Sequence, residues 1–290
     1  MSEPLAVCPI CPHHCRLKEG GVGFCRARAN VKGRVVPLNY GKITSAALDP
    51  IEKKPLYHFH PGSVILSIGS FGCNLRCPFC QNYSISQAGS RSPEGNVYFE
   101  DTQLPIDTAL PKEIAAAAQR LEETSGNIGV AFTYNEPLVG YEFVYDTAKL
   151  LKEKNLAVVL VTNGQIAPAP WQKLLPYVDA VNIDLKGFTQ EFYDWLGGDL
   201  ETTKAAIKMA AQQHVHVEVT TLVIPGKNDS AEEMEKEAVW LASLSPELPL
   251  HLSRYFPRYH AAVPMTPFET LKKLERTAKK YLRFVHLGNV

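Results

Sequence analysis

The chain has 290 residues, 45% hydrophobic and 21% charged, which places it among globular proteins of ordinary composition. Its 30 basic and 30 acidic residues balance, so no whole-molecule field draws it to a polyanion, and neither nucleic acid nor membrane is an expected partner. No window approaches the ~18 apolar residues of a membrane span, and Met1-Ser2-Glu3-Pro4 opens no secretory leader, so a cytoplasmic location is expected.

In chain order, residues 1–60 come first, with four of the seven cysteines, the run Glu19-Gly20-Gly21-Val22-Gly23 and the segment Asp49-Pro50-Ile51-Glu52-Lys53-Lys54-Pro55. They read as a small Cys-rich appendage stapled by metal, and residues 61–290 as the body. From residue 61 onward, short β-branched runs alternate with longer amphipathic ones. Val64–Gly69, Gly129–Tyr134, Ala157–Thr162, Ala180–Leu185, Val215–Ile224 and Leu250–Phe256 are expected as buried parallel strands. Pro111–Thr124, Leu138–Lys154, Glu201–Gln213 and Ser230–Ser243 are expected as helices, with Pro111 suited to a first turn and Gly126 to a stop. A helix over Pro267–Tyr281 and a strand over Arg283–Leu287 finish the chain, and residues 81–110 form a long polar insertion without period. This alternation demands an α/β fold with a parallel sheet covered by helices, either open and doubly wound or curved toward a barrel.

The cysteines fall into two groups, Cys8 to Cys25 and Cys73 to Cys80. An odd, clustered set without an export signal points to metal ligation rather than disulfides. Gly72-Cys73-Asn74-Leu75-Arg76-Cys77-Pro78-Phe79-Cys80 follows the first expected strand directly. Three thiolates at C-x3-C-x2-C spacing can wrap one iron–sulfur cluster, and because a [4Fe–4S] cluster normally takes four, one iron would stay open. A zinc site completed by a histidine, or three metal-free thiols, are the bland alternatives. Downstream, polar residues stand where successive strands stop: Thr133-Tyr134-Asn135-Glu136-Pro137, Thr162-Asn163-Gly164 and Asp184-Leu185-Lys186. Each alone reads as a helix start, a turn or a surface pair. Together they form a constellation facing one mouth.

The three-Cys loop, with aromatic Phe79 before its last cysteine, resembles the radical S-adenosylmethionine (SAM) superfamily. That resemblance implies a partial TIM barrel of about six βα units with its site at the strand C-terminal ends. It also implies a [4Fe–4S] cluster on Cys73, Cys77 and Cys80 whose open iron is chelated by SAM, with the Phe79 neighbourhood against the adenine. The cofactor then supplies the hard chemistry, reductive cleavage to a 5′-deoxyadenosyl radical that abstracts hydrogen, and no side chain is assigned a chemical step. A low-potential electron donor of flavodoxin or ferredoxin type is the implied partner.

The strand-end motifs resemble those of the glycyl-radical activating enzymes, such as pyruvate formate-lyase activating enzyme. By that resemblance Glu136 meets the SAM ammonium, Thr162 and Asn163 belong to an Asp-Thr-Asn-Gly motif, and Asp184 with Lys186 to an Asp-x-Lys motif whose lysine meets the SAM carboxylate. Two positions depart: Tyr134-Asn135 replaces a glycine pair, and Val161 replaces an aspartate that would hold a monovalent cation beside SAM. Cys11-Pro12-His13-His14-Cys15, Asp49 through Phe59, Cys80-Gln81-Asn82-Tyr83, Val219 through Gly226 and His251 through Pro257 resemble the AmmeMemoRadiSam radical SAM enzymes. AMMECR1-like and Memo-like proteins are the partners this implies. Many members continue past the Gly288-Asn289-Val290 position into a tail with a further Cys-x2-Cys pair, which this sequence lacks.

Cys8, Cys11, Cys15 and Cys25 supply four thiolates, enough for a structural zinc or an auxiliary cluster, and spacing leaves both open. His13, His14, His58 and His60 are not assigned as ligands, and Lys53 and Lys54 are expected as solvated surface lysines. Three functions follow: hydrogen abstraction from a protein or peptide, glycyl-radical formation included; radical chemistry on a small metabolite; or a non-catalytic iron–sulfur electron-transfer subunit.

Overall fold

The computed structural model describes residues 5–88, 90–91, 97–98 and 104–290. Part of the polar insertion expected over 81–110 lies outside these residues, and its described part includes a short helix, Tyr83–Ser86.

One eight-stranded sheet organises the chain: β1 (Ser45–Pro50), β2 (Val64–Gly69), β3 (Asn127–Phe132), β4 (Ala157–Thr162), β5 (Ala180–Asp184), β6 (His216–Val223), β7 (Leu250–Arg254) and β8 (Val285–Gly288). The strands lie side by side in chain order, and β2 to β8 run parallel. All six expected parallel strands are present, and the terminal strand extends the same ladder. β3 sits two residues earlier than its β-branched run suggests, because Tyr134 takes a left-handed backbone (φ 71°) that no strand can continue.

β1 pairs antiparallel with β2, Ser45 opposite Gly69 and Pro50 opposite Val64. The main sheet therefore begins at residue 45, inside the segment expected as the appendage. Its sequence, Ser-Ala-Ala-Leu-Asp-Pro, lacks the β-branched residues that mark a strand, and an edge position asks little of them.

The helices α1 (Pro111–Ser125), α2 (Tyr141–Glu153), α3 (Pro168–Leu174), α4 (Gln190–Leu196), α5 (Leu200–Ala211), α6 (Ala231–Leu244) and α7 (Phe268–Ala278) occupy the connections. Local chemistry starts and stops them. Pro111 opens α1, the Glu113 carboxylate accepts from the Leu110 N–H at 2.7 Å, and Gly126 closes the helix in the left-handed region (φ 68°). Thr189, Asp199 and Ser230 cap α4, α5 and α6 through their side-chain oxygens. The sequence pattern missed α3 and α4, each only seven residues long, too short to show a helical period.

Two apolar layers result. The larger packs the helices against the outer sheet face and includes Trp171, Leu160, Val181 and Leu274. The smaller fills the inner face, where Ile65, Ala131, Val159 and Ala180 close around Ile51 and Leu56, both fully buried. Each of these two side chains contributes about 1.5–3 kcal/mol by its burial. The run after β1 is thus a plug. Asn182 on β5 donates to the Pro55 carbonyl at 2.7 Å, and the buried Glu218 carboxylate on β6 accepts from the Tyr57 and His58 N–H groups at 3.1 and 2.8 Å. His216 and His251 complete the set around Glu218, at 2.9 and 2.6 Å.

Lys54 corrects the expectation of a solvated lysine: it is 2% exposed, paired with Asp49 at 2.8 Å, 5.5 Å from the centre of the Tyr134 ring. Lys53 stays largely exposed at the plug's edge.

Candidate active site

The parallel strands all end on the same side of the sheet, and there a cavity of about 260 Å³ opens. The loop after β2 enters it first. Gly72 takes φ 91° with its α-carbon against the N-terminal segment: a β-carbon would come within 2.6 Å of the Ala27 methyl and 2.8 Å of the Cys25 carbonyl. Only glycine fits there. The chain then turns Cys73, Cys77 and Cys80 to the cavity wall. Arg76 points away, its guanidinium 3.9 Å from the centre of the Phe24 ring and bonded to the Cys73 carbonyl at 3.1 Å.

Glu136 on the loop after β3 is 3% exposed. Its Oε1 accepts from Thr162 Oγ1 at 2.7 Å and the Leu138 N–H at 3.0 Å, and its Oε2 from the Asn163 N–H at 2.8 Å. Burial pushes its pKa up to about 7, against the pull of those three donors. The residues at the ends of β3 and β4 are thereby locked into one unit. Asn163 extends that unit to the cysteine loop, its amide nitrogen 2.9 Å from Asn74 Oδ1 and 3.6 Å from Cys73 Sγ.

At the end of β5, Asp184 and Lys186 pair at 2.7 Å, both on the cavity. Burial disfavours the Lys186 charge, yet Asp184 and the nearby Cys77 and Cys80 sulfurs hold its pKa above the ordinary lysine range. Phe79 is 4% exposed and stands 5.7 Å from Trp195 and 6.5 Å from Phe192, ring centre to ring centre.

The three cysteines of the second group, Phe79 and the site residues named at the three strand ends thus reach one cavity: Cys73, Cys77, Cys80, Phe79, Glu136, Thr162, Asn163, Asp184 and Lys186. Burial pushes the Cys77 thiol up to about 12 and the Cys73 thiol well above its ordinary value. Thiols so shielded ionise only against a strong local positive charge, which iron supplies. Among the described residues no three His, Cys, Asp or Glu side chains are close enough to share one metal ion. A four-iron cluster makes no such demand, since each thiolate binds a different iron, and three sulfurs facing one cavity suit it.

Sequence reasoning missed Tyr134, whose left-handed backbone stacks its ring on Gly69, where a β-carbon would meet it at 2.9 Å. Its hydroxyl donates to Asp49 at 2.8 Å, so the cavity rests on the plug. The replaced glycine pair was the available signal. Val161, in place of the family aspartate, faces the cavity as an apolar wall.

Residues 67–238 match the model of the radical SAM superfamily, and the chain belongs to that superfamily. Membership implies a [4Fe–4S] cluster and SAM. An uncharacterized protein of Methanocaldococcus jannaschii is 40% identical over 286 residues, 98% of this chain and 81% of the relative. Pyruvate formate-lyase-activating enzyme of Clostridium pasteurianum is 25% identical over 169 residues, 58% of this chain and 65% of the relative. A radical SAM methyltransferase from Sphaerobacter thermophilus shares the fold, with a TM-score of 0.57 at 17% identity over 79% of this chain and 67% of that one.

Proposed function

We propose that this protein reductively cleaves SAM at a [4Fe–4S] cluster bound by Cys73, Cys77 and Cys80, and that the resulting 5′-deoxyadenosyl radical abstracts hydrogen from a protein or peptide. The observation that carries the proposal is the single cavity on which the three thiols meet Glu136, Asp184 and Lys186. Each chain residue has a holding task. The Glu136 carboxylate, pinned by three donors, keeps lone-pair capacity for the SAM ammonium, and Lys186, held by Asp184, offers its remaining N–H groups to the SAM carboxylate. Phe79 and Trp195 give the adenine an apolar edge. The bound cluster and SAM supply the radical chemistry itself.

A polypeptide substrate, with glycyl-radical formation as one form of it, is supported by the likeness to pyruvate formate-lyase-activating enzyme. Exposed aromatic side chains near the cavity favour it as well: Tyr83 and Tyr259 stack at 4.6 Å, and Trp195 is 40% exposed. The resemblance of the long motifs to AmmeMemoRadiSam enzymes supports AMMECR1-like and Memo-like proteins as partners, with a flavodoxin or ferredoxin as reductant in the cytoplasm. No helix among the described residues is long and apolar enough to cross a membrane. Anaerobic reconstitution with iron and sulfide, followed by reduction with SAM present, tests the proposal. It predicts 5′-deoxyadenosine and methionine in equal amounts, and absence of both from a protein with a full cluster would refute it.

A further inference from the structure

The first cysteine group does not stand apart from the cavity. The Cys73 N–H donates to the Cys25 carbonyl at 3.3 Å, so a residue of one group hydrogen-bonds a residue of the other. On either side of that bond the contact is tight. Gly72 leaves no room for a methyl against Cys25 and Ala27, and a His13 ring nitrogen lies 2.9 Å from the Asn74 carbonyl oxygen. A second route runs through side chains: the Asn74 amide faces the Cys11 thiol, and its Oδ1 accepts from the same Asn163 nitrogen that lies 3.6 Å from Cys73 Sγ.

Within the group, Cys8, Cys11 and Cys25 are buried and Cys15 is partly exposed. The Cys8 N–H bonds the Cys15 carbonyl at 3.0 Å, and Cys25 lies within electrostatic reach of Cys8, Cys11 and Cys15. A zinc staple would draw four sulfurs to about 2.3 Å from one ion. A staple would gain nothing from ligands hydrogen-bonded to the catalytic loop, whereas an electron carrier would.

We infer that Cys8, Cys11, Cys15 and Cys25 hold an auxiliary iron–sulfur cluster that feeds single electrons to the catalytic cluster across the Cys25–Cys73 hydrogen bond. This rests on the proposed function for the existence of a cluster at Cys73, Cys77 and Cys80. A one-electron donor of ferredoxin or flavodoxin type reduces the auxiliary cluster on its partly exposed Cys15 side. The same electron then passes to the catalytic cluster, which is reduced as the auxiliary cluster is reoxidised, and no proton or bond is exchanged.

The test uses the full chain, reconstituted without oxygen, with iron, sulfide and zinc counted beside electron paramagnetic resonance of the reduced protein. About eight irons per chain are expected, of which about four survive in C73A/C77A/C80A. The fully reduced protein should show spin coupling between two clusters, and that variant should lose it. In C11S/C25S, reduction of the catalytic cluster by flavodoxin, followed by stopped flow, should slow by roughly tenfold or more. One zinc beside about four irons, disulfides without metal, two uncoupled clusters, or an unchanged reduction rate would each overturn the inference. If C11S/C25S fails to fold, the metal count and spin coupling of the unmodified protein decide alone. Failure of the proposed function reads differently: the auxiliary irons remain, and those assigned to Cys73, Cys77 and Cys80 are missing.

Discussion

Replacing Glu136 with glutamine separates holding SAM from building the cluster. The carboxylate accepts three hydrogen bonds, two on Oε1 and one on Oε2 from the Asn163 N–H at 2.8 Å. A glutamine amide can keep its oxygen toward Thr162 and Leu138, but its NH2 then faces the Asn163 N–H, donor against donor. Leaving that buried donor unpaired costs about 1–3 kcal/mol of fold stability. At the SAM end, the charge-assisted bond to the ammonium disappears, a loss of about 1.5–3 kcal/mol. That corresponds to roughly 10- to 150-fold weaker SAM binding. Cluster content should hold, because Glu136 contributes no thiolate and its carboxylate accepts from Leu138, Thr162 and Asn163 rather than from the cysteines. Calorimetric titration of SAM into the anaerobically reconstituted variant, beside an iron count, measures both. Unchanged SAM affinity with a full cluster would refute the assignment, and loss of iron in parallel with affinity would make Glu136 a structural residue.

Lys186→Met removes the cation while Asp184 keeps its charge, so SAM binding should weaken about tenfold or more, with iron content retained; equal affinity in titration would return the pair to a structural role. Gly72→Ala forces a β-carbon into the Cys25 carbonyl at φ 91°, and should cost about 1–3 kcal/mol in thermal unfolding and lower iron incorporation; a variant as stable as the parent would contradict the packing. Glu237 is fully buried on α6, and burial pushes its pKa up to about 8. The Thr221 hydroxyl lies 2.5 Å from it and 3.0 Å from the Leu185 carbonyl, so its one proton serves both acceptors only if Glu237 carries a proton of its own. A folded-state pKa above the unfolded one stabilises fully below about pH 4.5, and that contribution is lost as pH rises toward about 8. Denaturant unfolding should therefore show the parent losing on the order of 3–5 kcal/mol over that range relative to Glu237→Gln. Parallel pH profiles would refute a protonated Glu237.

The strands, and the residues that the structure brings to one cavity at their ends, were legible because their signals are local. Val-Ile-Leu-Ser-Ile-Gly and its successors are β-branched runs of strand length, and Cys73, Glu136, Asn163 and Lys186 each sit just past one. The plug was not legible. Nothing in Asp49-Pro50-Ile51-Glu52-Lys53-Lys54 says that Ile51 packs against Ala131, Val159 and Ala180 or that Lys54 is buried against Asp49 and Tyr134, since their burial is set by tertiary closure. β1 was missed for a related reason, because an edge strand of Ser, Ala and Leu carries no propensity signal. Tyr134 was visible only as a departure from a glycine pair, and its bond to Asp49 spans 85 positions of sequence.

The central claim is that Cys73, Cys77 and Cys80 support reductive cleavage of SAM. The most direct measurement compares the reconstituted protein with C73A/C77A/C80A for 5′-deoxyadenosine formed under dithionite or flavodoxin reduction. The account predicts product from the parent and none from the variant; product from both, or none from a parent carrying its full iron complement, would contradict it.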